Sequence, residues 1–226
     1  MLRTRRRLSD PSAGLPTWFT WDYDLAELIA DAVVHASGLL AALIGAVMLA
    51  AVVLPAGVLG DSAAALVYVV GLVTTLGLSA TYNLWPVSPM KWILRRFDHS
   101  TIYLFIAATY TPFLPRITSG FWTVAWLVYI WGFAIAGATL KLFWPGRLER
   151  VAVAFYVLLG WSGILLLGRL PWTTLQFLVL GGLLYSIGIA FHLWDRLRFQ
   201  NAIWHFFVLP AAGSHYFAVL TCIAEI

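Results

Sequence analysis

Seven side chains in this 226-residue sequence are of types that can bind a metal, activate water or relay a proton: Asp31, His35, Ser79, Asn83, Asp98, Asn201 and His205. Six of them fall into pairs four residues apart, Asp31/His35, Ser79/Asn83 and Asn201/His205. On a helix such a spacing puts both side chains on one face, with Cβ atoms roughly 5–6 Å apart. Carboxylate, hydroxyl, amide and imidazole groups arranged this way suit either a metal-assisted hydrolysis or a closed hydrogen-bonded network. His99, next to Asp98, points about 100° away around its helix and reads as a packing or interfacial group. His192, Tyr110, Thr111 and His215 are further polar residues; His215 lies about 15 Å deeper than His205 along a helix axis and reads as a separate hydrogen-bonding group.

The elements that must carry these residues follow from composition. The chain is 62% hydrophobic and 11% charged, against roughly 45–50% and 25% for a soluble domain. A soluble enzyme, a disordered chain and a coiled coil are excluded. About 140 apolar residues suffice for some seven crossings at roughly 20 residues each. Apolar stretches run over about 29–57, 62–85, 97–115, 121–141, 150–168, 174–193 and 203–224, which predicts an all-α bundle of seven transmembrane helices. Residues 1–27 read as a basic N-terminal tail and interfacial segment, and 28–226 as one membrane domain. The start has an arginine cluster with no apolar run directly behind it, unlike a cleaved signal peptide.

The basic residues orient the bundle. With the N-terminus cytoplasmic, twelve of the fourteen Lys and Arg residues fall on the inside; Arg116 and Arg169 fall outside. That bias predicts an internal N-terminus and an external C-terminus. It also accounts for the net charge of +4 without a nucleic-acid partner. Trp18, Trp21, Trp85, Trp92, Trp144, Trp172 and Trp194 lie near predicted span ends, as an interfacial belt requires. Cys222, the one cysteine, permits no internal disulfide and reads as a small apolar residue.

This topology places the seven chemistry-bearing residues at one depth, in the cytoplasmic half. Ionisable groups facing lipid cost several kcal/mol, so these faces are expected to turn inward and line one pocket. The alternative is that each merely hydrogen-bonds helices together, at about 0.6 kcal/mol per contact. Convergence of four helices at one depth favours a site.

The stretch Arg95-Arg96-Phe97-Asp98-His99-Ser100-Thr101-Ile102-Tyr103, continuing to Thr109-Tyr110-Thr111-Pro112-Phe113, resembles the hemolysin III family. So do Asn201 to Leu209 and Glu27 to His35. This bacterial family is grouped with the progestin and adiponectin receptors, and the resemblance implies a seven-span protein of a bacterial plasma membrane. It further implies three motifs: Glu, Asn and His on the first span; Ser-x-x-x-His on the second with an Asp opening the third; and His-x-x-x-His on the last. In the receptor branch the second-span histidine and both last-span histidines hold zinc. Carried onto this chain, Ser79, Asp98, His35 and His205 match. Asn83 and Asn201 replace two zinc ligands, Asp31 stands for Asn, and Leu28 occupies the expected Glu position with Glu27 adjacent.

An amide oxygen is a weak, hard donor for a borderline-soft cation, so zinc is expected to be weak or absent. His35 could restore a second imidazole only if its helix packs unusually close. Two readings of function follow from the resemblance. One is a non-catalytic membrane protein with a degenerate pocket, serving membrane homeostasis or lipid sensing, with membrane lipid as partner; the family name implies cytolysis. The other is a metal-dependent hydrolase of a lipid amide or ester, in which Asp98 and Ser79 are catalytic and assist an activated water. An ion or proton channel is a distant third, lacking paired halves or a charged ring.

Overall fold

The computed structural model describes residues 23–144, 149–163, 169–194 and 196–224. The Trp18–Trp21 segment, Arg3, Arg5, Arg6, Arg7, Arg147 and the C-terminal Glu225-Ile226 lie outside them. Among the described residues eight helices follow one another: α1 Leu25–Ala56, α2 Leu59–Leu84, α3 Pro89–Tyr110, α4 Leu114–Ile117, α5 Phe121–Phe143, α6 Glu149–Trp161, α7 Trp172–His192 and α8 Gln200–Ala224. There is no strand among the described residues. The expected all-α class is the class observed. Five helices, α1, α2, α5, α7 and α8, are long and apolar enough to cross a bilayer. Of the other two expected spans, α3 carries Lys91, Arg95, Arg96, Asp98 and His99 in its first three turns, and α6 is thirteen residues long.

The α1 sequence explains how a membrane helix can position a polar site. Its buried residues are Glu27, Asp31, His35, Gly38, Ala42, Gly45, Leu49 and Val53. Steps of three and four keep these on one stripe. The stripe is ionisable at its start, small in the middle and apolar at its end. The remaining faces present Leu40, Leu43, Val47 and Met48 outward, where lipid tails solvate them at no cost. Asp24 starts the helix with a capping box: the Glu27 N–H donates to Asp24 Oδ1 at 2.9 Å, and the Asp24 N–H to Glu27 Oε2 at 2.8 Å. These bonds satisfy two backbone groups that the helix itself leaves open.

The third helix begins eight residues earlier than its apolar run suggests. Ser88 caps it by accepting the Lys91 N–H, and Pro89 occupies the first turn, where no N–H is needed. The Lys91 side chain then turns back to α2. Its Nζ donates to the carbonyls of Tyr82, Asn83 and Trp85 at 2.8, 3.0 and 2.7 Å, and the residue is fully buried. Those are last-turn carbonyls without intrahelical partners, at the negative end of the helix dipole. One ammonium therefore fixes the end of α2 that carries Ser79 and Asn83.

Small residues set the close contacts. A methyl on Gly38 would overlap Leu209 of α8, one on Gly181 would overlap the His215 ring, and one on Gly188 would meet Phe207 and Trp204. Such stripes let backbones approach where no hydrophobic effect drives helices together. One apolar core joins α1, α2 and α8 through Leu49, Tyr68, Leu72, Tyr216 and Val219; Cys222 is buried in it. A second joins α3, α5 and α6 through Tyr103, Ala107, Ile130, Ala134 and Leu159. Trp85, Trp144, Trp172 and Trp194 sit exposed at or beside helix ends. Trp92 departs from the expected belt: it is buried against Tyr82, with the Arg95 and Arg96 guanidinium groups 5.4 and 5.7 Å from its ring centre.

Candidate functional site

A cavity of about 1130 Å³ runs within the bundle, walled by α1, α2, α3, α6, α7 and α8. Helix α5 packs outside it, against α3. His35, Ser79, Asn83, Asp98, Asn201 and His205 all line this one cavity. Asp31 lies behind them, 3% exposed. The structure thus brings together every residue singled out by type and spacing.

Asp31 is the organiser. Its Oδ1 accepts the His205 Nδ1–H at 2.7 Å, and its Oδ2 accepts Asn201 Nδ2 at 2.9 Å. The same Asn201 amide donates to Asn83 Oδ1 at 2.9 Å, and Asn83 Nδ2 donates to the Ser79 carbonyl at 2.9 Å. Three of the four residues that differ from the family pattern, Asp31, Asn201 and Asn83, are therefore bonded in one row. Asp31 anchors the row through Asn201, which in turn reaches Asn83.

His35 comes closer than its place on α1 suggested. Its ring centroid is 4.2 Å from that of His205, in an edge-on arrangement. The His35 Nδ1–H donates to the Asp31 carbonyl at 2.8 Å, a bond back along its own helix. Its Nε2 is 3.3 Å from Ser79 Oγ, and His205 Nε2 is 3.5 Å from the same oxygen. Asp31, His35 and His205 each offer a ligand atom, all within 4.8 Å of one another. This donor set, two imidazoles and a carboxylate, fits a divalent transition metal better than positions 83 and 201 do. Asp98 stands beside Ser79, in electrostatic reach of His205.

Glu27 is the residue that sequence reasoning undervalued. It is 3% exposed, and its Oε1 accepts the Phe199 N–H at 2.9 Å. Phe199 holds a left-handed backbone, φ 59°, a conformation that costs a non-glycine residue about 1–2 kcal/mol. Glu27 thereby ties the turn before α8 to the first turn of α1. The available signal was the four-residue step from Glu27 to Asp31 to His35, which puts Glu27 rather than Leu28 on the site stripe.

The other histidines take separate places. His99 lies 3.9 Å from Asp98 Oδ2 and meets Tyr82 edge-on. His192 packs on Trp204, and His215 pairs with the Leu178 carbonyl at 3.3 Å through Nε2. All three border the cavity. Farther along, its wall is mostly apolar, with Phe105, Ile106, Phe113, Leu178, Val179 and Ala212 beside Thr109, Tyr110 and Tyr185.

Comparison with known proteins agrees with this architecture. A family profile described as Haemolysin-III related matches residues 26–216. A hemolysin-3 homolog of Bacillus subtilis (strain 168) is 32% identical over 202 residues, covering 88% of this chain and 95% of the relative. A hemolysin-3 of Bacillus cereus is 42% identical over 129 residues, or 54% and 58% of the two chains. The human monocyte to macrophage differentiation factor is 32% identical over 160 residues, 68% of this chain and 67% of the relative. No solved structure matches the chain.

Proposed function

Because this chain belongs to the haemolysin-III-related family of multi-pass membrane proteins, we propose that it binds a membrane amphiphile within its bundle and serves membrane homeostasis or lipid sensing. The observation that carries this is the division of the cavity wall. Hydrogen-bonding groups cluster at the end formed by the last turns of α2 and the N-terminal turns of α1, α3 and α8, and the remainder is mostly apolar, interrupted by Thr109, Tyr110, Tyr185 and His215. A volume of about 1130 Å³ lies above the roughly 300–1,000 Å³ of ordinary small-molecule clefts. The ligand class is a lipid with a compact head that both donates and accepts hydrogen bonds. We place the polar end toward the cytoplasm of a bacterial plasma membrane, in a seven-span topology with the N-terminus inside. The clustering there of Lys91, Arg95, Arg96 and Arg198 supports that orientation.

The test is lipid retention. Protein purified in mild detergent is extracted with organic solvent, and its lipids are quantified by mass spectrometry against a control membrane protein. The expected result is about one molecule of a single lipid class per chain, reduced at least tenfold by Ile106→Trp, which fills the apolar wall. Lipid content equal to the control, or unaffected by Ile106→Trp, would overturn the reading.

One observation favours hydrolysis of a lipid amide or ester as a second reading: the Asp31–His35–His205 donor set. A divalent metal held there would supply Lewis-acid polarisation of a carbonyl. The chain itself would contribute Asp98 to hold a proton and Ser79 to orient the reacting group. Release of free fatty acid from short-chain amide and ester lipids, abolished in Asp98→Asn, is the result this reading expects.

A further inference from the structure

Far from the polar end, two groups on the cavity wall have no hydrogen-bond partner among the described residues: the Tyr185 hydroxyl of α7 and the Nδ1 atom of His215 on α8. Other polar groups in that part of the wall are served. Thr109 Oγ1 donates to the Phe105 carbonyl at 2.8 Å, and the Tyr110 hydroxyl donates to the Gly160 carbonyl at 2.7 Å while accepting the Gly163 N–H at 2.8 Å. His215 is served on one edge alone. Its Nε2–H donates to the Leu178 carbonyl at 3.3 Å, and a neutral imidazole that donates from Nε2 carries its lone pair on Nδ1. Gly181 lies against the Cδ2–Nε2 edge, so the Nδ1 edge is turned away from it. Both residues are half-buried, and the surface they keep open lies on the cavity wall. Their ring centroids are 5.5 Å apart, with no bond between them. Tyr68, whose own buried hydroxyl has no partner, sits in the core that Tyr185 packs against and makes no bond to it. Interior polar groups are seldom left this way, and each asks for a partner. His215 is ten residues beyond His205 on α8, about 15 Å along the axis. The pair is therefore a second polar station inside the hydrocarbon part of the cavity, one donor beside one acceptor.

We infer that Tyr185 and His215 form a second binding subsite, which recognises a hydroxyl carried on the hydrocarbon chain of the bound lipid, about 15 Å from its head. The subsite rests on the amphiphile reading and narrows its ligand. A hydroxyl serves both groups at once: its oxygen accepts the Tyr185 O–H, and its proton goes to His215 Nδ1. A ketone or ester carbonyl only accepts, and leaves the His215 lone pair without a donor. A plain methylene chain leaves both groups unpaired. A site built around a hydroxyl rejects the analogue without it for that reason, because its own polar groups then stay unpaired. The spacing sets the position on the chain. At roughly 3.3–3.6 Å per three bonds of an extended chain, 15 Å is about thirteen bonds. A lipid whose head meets His35 and His205 thus carries the hydroxyl near its twelfth carbon.

The experiment uses the full chain, delipidated in mild detergent, and three tritiated probes of one chain length: 1-octadecanol, 1,2-octadecanediol and 1,12-octadecanediol. Each has a compact head that donates and accepts hydrogen bonds, and the diols differ in the place of the second hydroxyl. The expected result is that 1,12-octadecanediol binds at least tenfold tighter than either other probe. Tyr185→Phe and His215→Leu should each cut that advantage below threefold while leaving 1-octadecanol within threefold of its native affinity. Equal binding of all three probes to the native chain overturns the subsite, since water rather than a lipid hydroxyl then serves Tyr185 and His215, and leaves the amphiphile reading standing. An advantage that survives in Tyr185→Phe also overturns it. Failure of all three probes to bind refutes the amphiphile reading and the subsite with it. Helical circular dichroism and monodisperse elution establish folding of each variant. If His215→Leu fails that check, Tyr185→Phe, which loses a single oxygen, still decides.

Discussion

Replacing Asp31 by Ala deletes the acceptor for two α8 donors, His205 Nδ1–H and Asn201 Nδ2, at 2.7 and 2.9 Å. Two magnitudes compete. Interhelical polar contacts in membranes average about 0.6 kcal/mol, which would make the pair worth about 1 kcal/mol. Leaving a buried donor without its acceptor costs about 1–3 kcal/mol, or about 2–6 kcal/mol for the two together. At 3% exposure water cannot replace the carboxylate, so the larger figure applies. With roughly 2–4 °C per kcal/mol for a chain of this size, Asp31→Ala should lower Tm by on the order of 10 °C. Asp31→Asn should cost less, about 1–3 kcal/mol, for a specific reason. Its Oδ1 still accepts from His205, but its amide now faces the Asn201 amide, donor against donor. Turning Asn201 over moves the conflict to Asn83 Oδ1, and turning Asn83 over loses the bond to the Ser79 carbonyl. One bond is lost wherever the row is broken. Thermal unfolding in micelles, followed by circular dichroism, measures both variants, and a double-mutant cycle with Asn201→Ala isolates the contact. A Tm drop below about 3 °C for Asp31→Ala, or equal losses for Ala and Asn, would refute the argument.

Three further outcomes are expected. Lys91→Met leaves three α2 carbonyls without their ammonium and should cost about 3–5 kcal/mol, read as loss of Tm with retained expression. Gly181→Ala, whose methyl overlaps the His215 ring, should cost about 1–3 kcal/mol, and adding His215→Ala should recover part of that Tm. The Asp24 carboxyl is held below its ordinary value of 3.8, chiefly by the Glu27 N–H and further by Arg198. A depressed acid contributes its stability in full above its unfolded value and loses it as pH falls through the folded one. Asp24→Asn should therefore shrink the Tm difference between pH 7 and pH 3.

The site stripe of α1 and the three four-residue pairs were readable because helical period alone fixes them. The class was readable because few compositions survive a bilayer. Three features were not. The start of α3 was hidden because Ser88 and Lys91 are polar, and an apolar window registers hydrocarbon rather than helix. Trp92 was assigned to the lipid interface because side-chain burial there depends on α2, which local pattern does not report. The approach of His35 to His205 is a tertiary distance, set by Gly38 against Leu209 between α1 and α8. No spacing within either segment contains it.

The pairing of Asp31 with His205 spans 174 residues, and its two halves belong to the first and last helices. During synthesis at about 5–20 residues per second, roughly 10–35 s separate the two. Throughout that interval α1 carries an acid whose α8 partners have not yet left the ribosome. A nascent chain in this state has a poorly anchored first helix, able to slip toward the headgroups or to be held by insertion machinery. Arrival of α8 then does two things at once: it closes the ring of helices and removes the reason for α1 to retreat. Completion of the chain and retention of its first helix are one event, so a product truncated before α8 is marked for clearance by its own unsatisfied first helix.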